Sequence, residues 1–88
     1  MMYPYMTLNN DTEITHSEMK PDGKVKVFIE TPDNHGGFNS AICWLPDYTW
    51  EKITGYSEDD MRYFMKYIHN NAHLIMEFSQ AGGINFYM

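Results

Sequence analysis

The chain has 88 residues, of which 43% are hydrophobic and 16% are aromatic. This length and composition predict one globular domain over 1–88 and exclude an intrinsically disordered chain. Twelve acidic residues against six basic ones give a formal net charge of −6, which argues against direct nucleic-acid binding because that binding depends on attraction to phosphate.

The cysteine content and the hydropathy of the chain indicate its compartment. Cys43 is the only cysteine, so no intramolecular disulfide can form, which fits a reducing environment. The first residues lack the basic charge and long apolar core of a signal peptide, and no apolar run is long enough to cross a bilayer. We therefore predict a cytoplasmic protein that does not associate with a membrane.

The first part of the chain predicts two short strands. The segment at about 3–8 is rich in aromatic and β-branched residues, and Pro4 suits a sheet edge because proline cannot donate to a β-ladder. A turn-forming Asn-Asn-Asp run follows. The second strand covers about 12–19, and Ile14 is its clearest core residue.

Two further strands follow with clearer alternation. Asp22-Gly23 is a strong hairpin signal, and the strand after it, at about 25–30, places three β-branched residues on one face. The fourth strand, at about 38–45, has apolar residues on both faces, which favours a covered position. Pro46 ends it, and the stretch 47–53 is predicted to form a short helical turn.

The segment at about 57–81 predicts one long helix. Ser57 suits the N-cap position and Asp60, three residues later, approximates a capping box. Gly82 and Gly83 end the helix. Apolar residues fill roughly 200° of its circumference, whereas a helix lying on one sheet needs only somewhat more than 100°. The helix is therefore either deeply buried or partly turned toward a partner.

Together these elements predict an α+β fold, in which a three- to four-stranded antiparallel β-meander carries one long C-terminal helix on one face. The other face would carry Lys24, Lys26, Phe28 and Glu30, and it is either solvated or a contact surface. The apolar tail at 84–88 is predicted to dock as an extra strand or hydrophobic plug, with a frayed end as the alternative.

The helix start carries a family resemblance. The run Gly55-Tyr56-Ser57-Glu58-Asp59-Asp60-Met61 fits the pattern G-[FY]-S-x-x-[ED]-[LM], and Cys43-Trp44-Leu45-Pro46 precedes it. From Val25 onward the chain resembles a family of small uncharacterised bacterial proteins carried on mobile elements, some of them encoded beside toxin–antitoxin-like genes. The resemblance implies paired strands before a helix and an accessory or regulatory role. It implies no catalytic residues.

Three polar residues on the predicted helix have a spacing that could bind metal. His69, His73 and Glu77 follow one another at four-residue intervals, which places them on one side of the helix, where zinc or another transition metal could use them. A metal-binding protein or enzyme built on these residues is one alternative function. The other interpretation is an ordinary solvated stripe, since the stripe is polar throughout.

Other chemistry has little support in the sequence. Cys43 lies inside a predicted strand, as an inert core thiol would. His16 and His35 have no partner at a suitable spacing, and the glycine pairs fit turns and helix ends rather than a phosphate loop. We predict no catalytic residue and no cofactor. Asn71 lies within the apolar arc of the helix, so its amide should bond a neighbouring segment or line a ligand pocket.

The excess of apolar and aromatic residues favours a function in protein contact rather than an enzyme, either as a homodimer or with another protein. The predicted contact surface combines one flank of the helix with the tail. Its residues are Tyr63, Tyr67, Leu74, Phe78, Ile84, Phe86 and Tyr87. A third alternative uses the acidic charge: the chain would inhibit a nucleic-acid-binding protein by presenting a continuous carboxylate patch.

Overall fold

The computed structural model describes residues 1–80, which form a five-stranded antiparallel sheet with one helix packed on it. The elements are β1 (Met2–Leu8), β2 (Thr12–Ser17), β3 (Val25–Pro32), β4 (Phe38–Leu45), β5 (Thr49–Thr54) and α1 (Glu58–Gln80). Each strand pairs with the next one in the chain, so β1 and β5 are the two edges. The predicted α+β meander with a C-terminal helix is confirmed. The predicted tail at 84–88 lies outside the described residues.

The sheet has five strands rather than three to four, because β5 occupies the stretch that was predicted to form a helical turn. Two non-glycine residues with positive φ angles explain the difference, Tyr48 at 59° and Lys52 at 52°. Tyr48 lies in the turn between β4 and β5. Lys52 and Ile53 together oppose Ala41, which makes a β-bulge in β5. Both conformations are unusual for these residue types, so the sequence gives no sign of them.

The start of α1 forms the predicted capping box, with aspartate in the place of the usual glutamate. The Asp60 backbone N–H donates to Ser57 Oγ at 3.1 Å, and the Ser57 N–H donates to Asp60 Oδ2 at 3.0 Å. At the other end of α1 the Met19 N–H donates to the Ser79 carbonyl at 3.1 Å. The helix is thus attached to the loop after β2 through its last turn.

The core lies between α1 and the face of the sheet that points toward it, here called the inner face. Alternation along β3 turns its β-branched residues to this face, and α1 contributes residues spaced three or four apart. The core residues are Tyr5, Ile14, Val25, Val27, Ile29, Ala41, Cys43, Leu45, Met61, Phe64, Ile68, Ala72 and Ile75. Burial raises the pKa of Cys43 to about 12, so this thiol is neutral at physiological pH and a poor nucleophile.

Within residues 1–80 no helix is long and apolar enough to span a bilayer.

Candidate interaction surface

The face of the sheet that points away from α1, here called the outer face, is not covered by any element within residues 1–80. Paired residues on neighbouring strands share a face, so the side chains of the outer face form three rows across the sheet, and the pair of Pro32 and Phe38 lies beyond them at the ends of β3 and β4. The middle row contains Pro4, Thr15, Phe28, Ile42 and Glu51. One flanking row contains Thr7, Glu13, Glu30, Ser40 and Thr54, and the other contains Lys26, Trp44 and Thr49.

Three large side chains, Phe28, Ile42 and Trp44, form what we call the apolar centre of the outer face. Phe28 lies directly opposite Ile42, and Trp44 is the next residue of β4 on the same face. Ile42 is only 6% exposed, because its neighbours shield it. The Trp44 indole donates from Nε1 to Glu51 Oε1 at 2.9 Å, which holds the ring in place. A solvated sheet face normally carries polar residues, so this centre is unusual for a face open to water.

The charges of the outer face are separated along β3. Lys26 lies on one side of Phe28 and Glu30 on the other, each two residues away. Glu13 lies directly opposite Glu30, and like charges in that position destabilise a sheet. Among residues 1–80 the ion pairs are Lys24–Asp47 and Arg62–Asp59, so neither of these two glutamates is paired with a cation.

Both sheet edges carry features that hinder the addition of another strand. On β1, Pro4 has no N–H to donate, and the pairing shifts between Pro4 and Met6 at a bulge. On β5, the bulge at Lys52 and Ile53 interrupts the ladder. Bulges, prolines and edge lysines are the usual means by which sheets avoid edge-to-edge pairing. The outer face is therefore better suited to protein contact than either edge.

The structure separates the residues of the predicted contact surface. On the helix, Tyr67, Leu74 and Phe78 are half-buried and pack against the core. Tyr63 is 50% exposed and points to solvent. Ile84, Phe86 and Tyr87 lie outside the described residues.

Asn71 joins α1 to the edge strand β1. Its Oδ1 accepts a hydrogen bond from the Tyr5 hydroxyl at 2.6 Å, and its Nδ2 donates to the Tyr67 carbonyl at 2.8 Å. Burial raises the pKa of Tyr5, and burial together with the neighbouring Tyr5 and Tyr63 raises the pKa of Tyr67 to about 12. Both phenols therefore stay protonated at neutral pH. The amide therefore bonds a side chain of a neighbouring strand.

Replacing Asn71 by alanine is expected to lower the free energy of unfolding by about 1–3 kcal/mol, because the Tyr5 hydroxyl loses its acceptor in a partly buried position. Asn70→Ala is the matched control, since Asn70 is exposed one residue earlier, and it should cost no more than about 0.5 kcal/mol. Urea unfolding measures both. A double-mutant cycle with Tyr5→Phe should show coupling, and additive costs would contradict the hydrogen bond.

His16 is completely buried beneath the last turn of α1. Its Nδ1 lies 2.8 Å from the Ser17 carbonyl and 3.0 Å from Ser79 Oγ, while Ser79 Oγ donates to the Ile75 carbonyl. Because a carbonyl only accepts, Nδ1 carries the proton in this arrangement. Nothing in the sequence indicates the contact with Ser79, which lies 63 residues away in the chain. This contact fixes the end of α1 on β2, and no carboxylate takes part in it.

The three candidate metal ligands lie on the exposed side of α1. His69, His73 and Glu77 are all exposed, and the His69 ring packs against Tyr48 with 5.0 Å between ring centroids. In the part of the chain that the structure describes, no three or more His, Cys, Asp and Glu residues are grouped so that they could hold a metal ion. The three side chains are therefore spread along the helix surface and do not converge on one point.

A cleft of about 330 Å³ with both polar and apolar side chains in its lining lies at the amino-terminal end of α1. Three hydroxyl groups form a chain in its wall: Thr12 Oγ1 lies 2.8 Å from Thr31 Oγ1, which lies 2.7 Å from the Tyr56 hydroxyl. Burial raises the pKa of Tyr56, so its hydroxyl keeps its proton at neutral pH. These hydroxyl groups form hydrogen bonds with one another, so their hydrogen-bonding capacity is met within the fold. The bonds connect β2, β3 and the segment before α1.

Comparison of the chain with protein-family models, with curated proteins and with solved structures gave no match. The family resemblance therefore depends on the motifs quoted for it, of which the helix start forms the capping box between Ser57 and Asp60.

Proposed function

We propose that the protein acts by protein–protein contact and that the outer face of the sheet is its contact surface. The observation that supports this is the apolar centre of Phe28, Ile42 and Trp44, located on a face that no element within residues 1–80 covers. Aromatic residues surrounded by polar ones are typical of the centres of interfaces. The hindered edges at β1 and β5 favour the face over strand addition.

The setting we propose is the cytoplasm, because a single cysteine, Cys43, with a free thiol fits a reducing compartment. The resemblance to mobile-element proteins favours an accessory or regulatory role there. Tyr63 and Met65, on the amino-terminal half of α1, are also exposed, but they lie on opposite flanks of the helix because residues two apart do not face each other. Both residues lie on the helix rather than on the outer face.

Site-specific photo-crosslinking in cells tests this proposal. A photoreactive amino acid at Thr15, which lies opposite Phe28 on the outer face, should trap a protein covalently. The same group at Asn70, which is exposed on α1, is the matched control and should trap little. Adding Phe28→Thr should reduce trapping from position 15 by about tenfold, since hot-spot residues carry most of the energy of a contact. Equal trapping from both positions, or none from position 15, would refute the proposal.

A further inference from the structure

We propose that the outer face binds a second copy of this chain, with the two sheets face to face around a twofold axis that passes between the two Phe28 rings. This inference rests on the proposed function and names the partner. Alternation along β3 places Lys26, Phe28 and Glu30 in a line on the outer face, about 7 Å from one to the next. β3 is also the middle strand of the five, so the line crosses the centre of the face.

The charges on β3 select one orientation of the second copy. When the twofold axis lies between the sheets and perpendicular to β3, the second β3 runs antiparallel to the first. Lys26 of each copy then approaches Glu30 of the other, and the two Phe28 rings meet between these pairs. An axis parallel to β3 would instead place Glu30 against Glu30, which like-charge repulsion disfavours.

The same orientation brings a cation to the row that contains Glu13 and Glu30. The row containing Glu13 and Glu30 of one copy meets the row containing Lys26 and Trp44 of the other. Each pair of unpaired glutamates therefore receives a lysine from the second copy. A partner that was uniformly basic would satisfy the glutamates but would repel Lys26, so a surface with both signs fits better.

The size of the outer face determines how strong this association can be. Five strands about 4.8 Å apart and three rows about 7 Å apart give a face of about 500 Å² per copy. Two copies would bury about 1,000 Å², which is at the lower limit for specific interfaces. We therefore expect a reversible dimer with a dissociation constant in the micromolar range rather than an obligate one.

Charge exchange on the full chain tests the inference by sedimentation at about 5 to about 500 µM, a range that brackets micromolar affinity. The wild-type chain should dimerise, and Lys26→Glu or Glu30→Lys alone should weaken the dimer by at least about tenfold. An equimolar mixture of these two variants should form a heterodimer, because positions 26 and 30 on the two β3 strands then face each other with opposite charges. The double variant should dimerise like the wild type, since the charges at positions 26 and 30 are exchanged and each still faces the opposite charge.

Matched controls separate the specific pairs from net charge. Lys66→Glu and Glu77→Lys make the same charge changes at exposed positions of α1, and both should leave the dimer unchanged. A wild-type chain that stays monomeric at about 500 µM would overturn the inference. So would single variants that dimerise normally, or a mixture that forms no heterodimer. The two single variants test the pairing even if the double variant does not fold.

The crosslinking experiment distinguishes failure of this inference from failure of the proposed function. Crosslinked peptides from position 15 that belong to a second copy support both. Peptides from a different protein would leave the contact through the outer face in place and overturn the second copy as its partner. Peptides from residues 81–88 of the same chain would assign the face to that segment and overturn both.

Discussion

Replacing Ile68 by alanine is expected to lower the free energy of unfolding by about 2–5 kcal/mol, because the change removes buried methyl groups and leaves a cavity. Ile68 lies near the middle of α1, is completely buried and belongs to the core between α1 and the inner face. A small domain has a total stability of only about 5–15 kcal/mol, so this loss is a large fraction of it. Urea unfolding followed by circular dichroism measures the change.

Met65→Ala is the matched control for this prediction. Met65 lies three residues earlier on the same helix but is 45% exposed, so its replacement should cost about 1 kcal/mol or less. The two variants remove similar side chains from one helix and differ mainly in burial. Similar costs would contradict the packing of this side of α1 against the sheet.

Replacing Gly55 by alanine should cost about 2–5 kcal/mol for two separate reasons. Gly55 has a φ of 85°, a conformation that costs other residues about 1–2 kcal/mol. A Cβ atom at this position would also overlap the Asn39 side chain, and overpacking adds about 1–3 kcal/mol. Gly55 lies in the short connection between β5 and α1, so relief of the overlap would shift the segment that leads into the helix. Thermal and urea unfolding report the loss.

Gly23→Ala isolates the first reason, the positive φ angle. Gly23 has nearly the same φ, 83°, but nothing lies within 4 Å of a Cβ atom there. Its replacement should cost only the backbone term of about 1–2 kcal/mol. The difference between the two variants then measures the contact with Asn39, and Asn39→Ala combined with Gly55→Ala should recover part of it. Equal costs at Gly23 and Gly55 would show that Asn39 moves away freely.

The parts of the fold that depend on neighbouring residues could be predicted from the sequence. The capping box at Ser57 and Asp60 depends on a three-residue spacing, and the alternation along β3 depends on a two-residue period. The hairpin at Asp22-Gly23 likewise follows from a local preference for positive φ. These signals were sufficient for the meander, the helix and the division of β3 into an inner and an outer side.

The parts that depend on pairing across the chain could not be predicted. Alternation placed Phe28 and Glu30 on the outer side of β3, but only the strand register shows that Ile42 and Glu13 lie opposite them. In the same way, the contact between His16 and Ser79 joins two distant segments, and neither segment alone indicates the other. The candidate contact surface therefore became visible only in the folded sheet.

For α1, the sequence pattern predicts the helix correctly but does not determine what its apolar flank contacts. The wide apolar arc of α1 predicts either deep burial or a flank turned toward a partner, and Tyr67 and Phe78 are among the residues of that flank. In the structure these two residues are half-buried against the core, and Asn71 beside them bonds Tyr5 on β1. A sheet of five strands is wide enough for its edge strand β1 to contact this flank. Hydrophobic periodicity alone does not predict how wide the sheet is.

The two interrupted edges of the sheet also limit how far this protein can assemble. A sheet whose edge strands could pair with those of other copies would form open-ended polymers as the protein concentration rose. Pro4 on one border and the Lys52–Ile53 irregularity on the other oppose that growth at both ends. Each molecule has a single outer face, so any stacking through it is complete at two copies. In the proposed dimer the half-buried Phe28 and Trp44 would be covered, and the assembly would stay closed and finite.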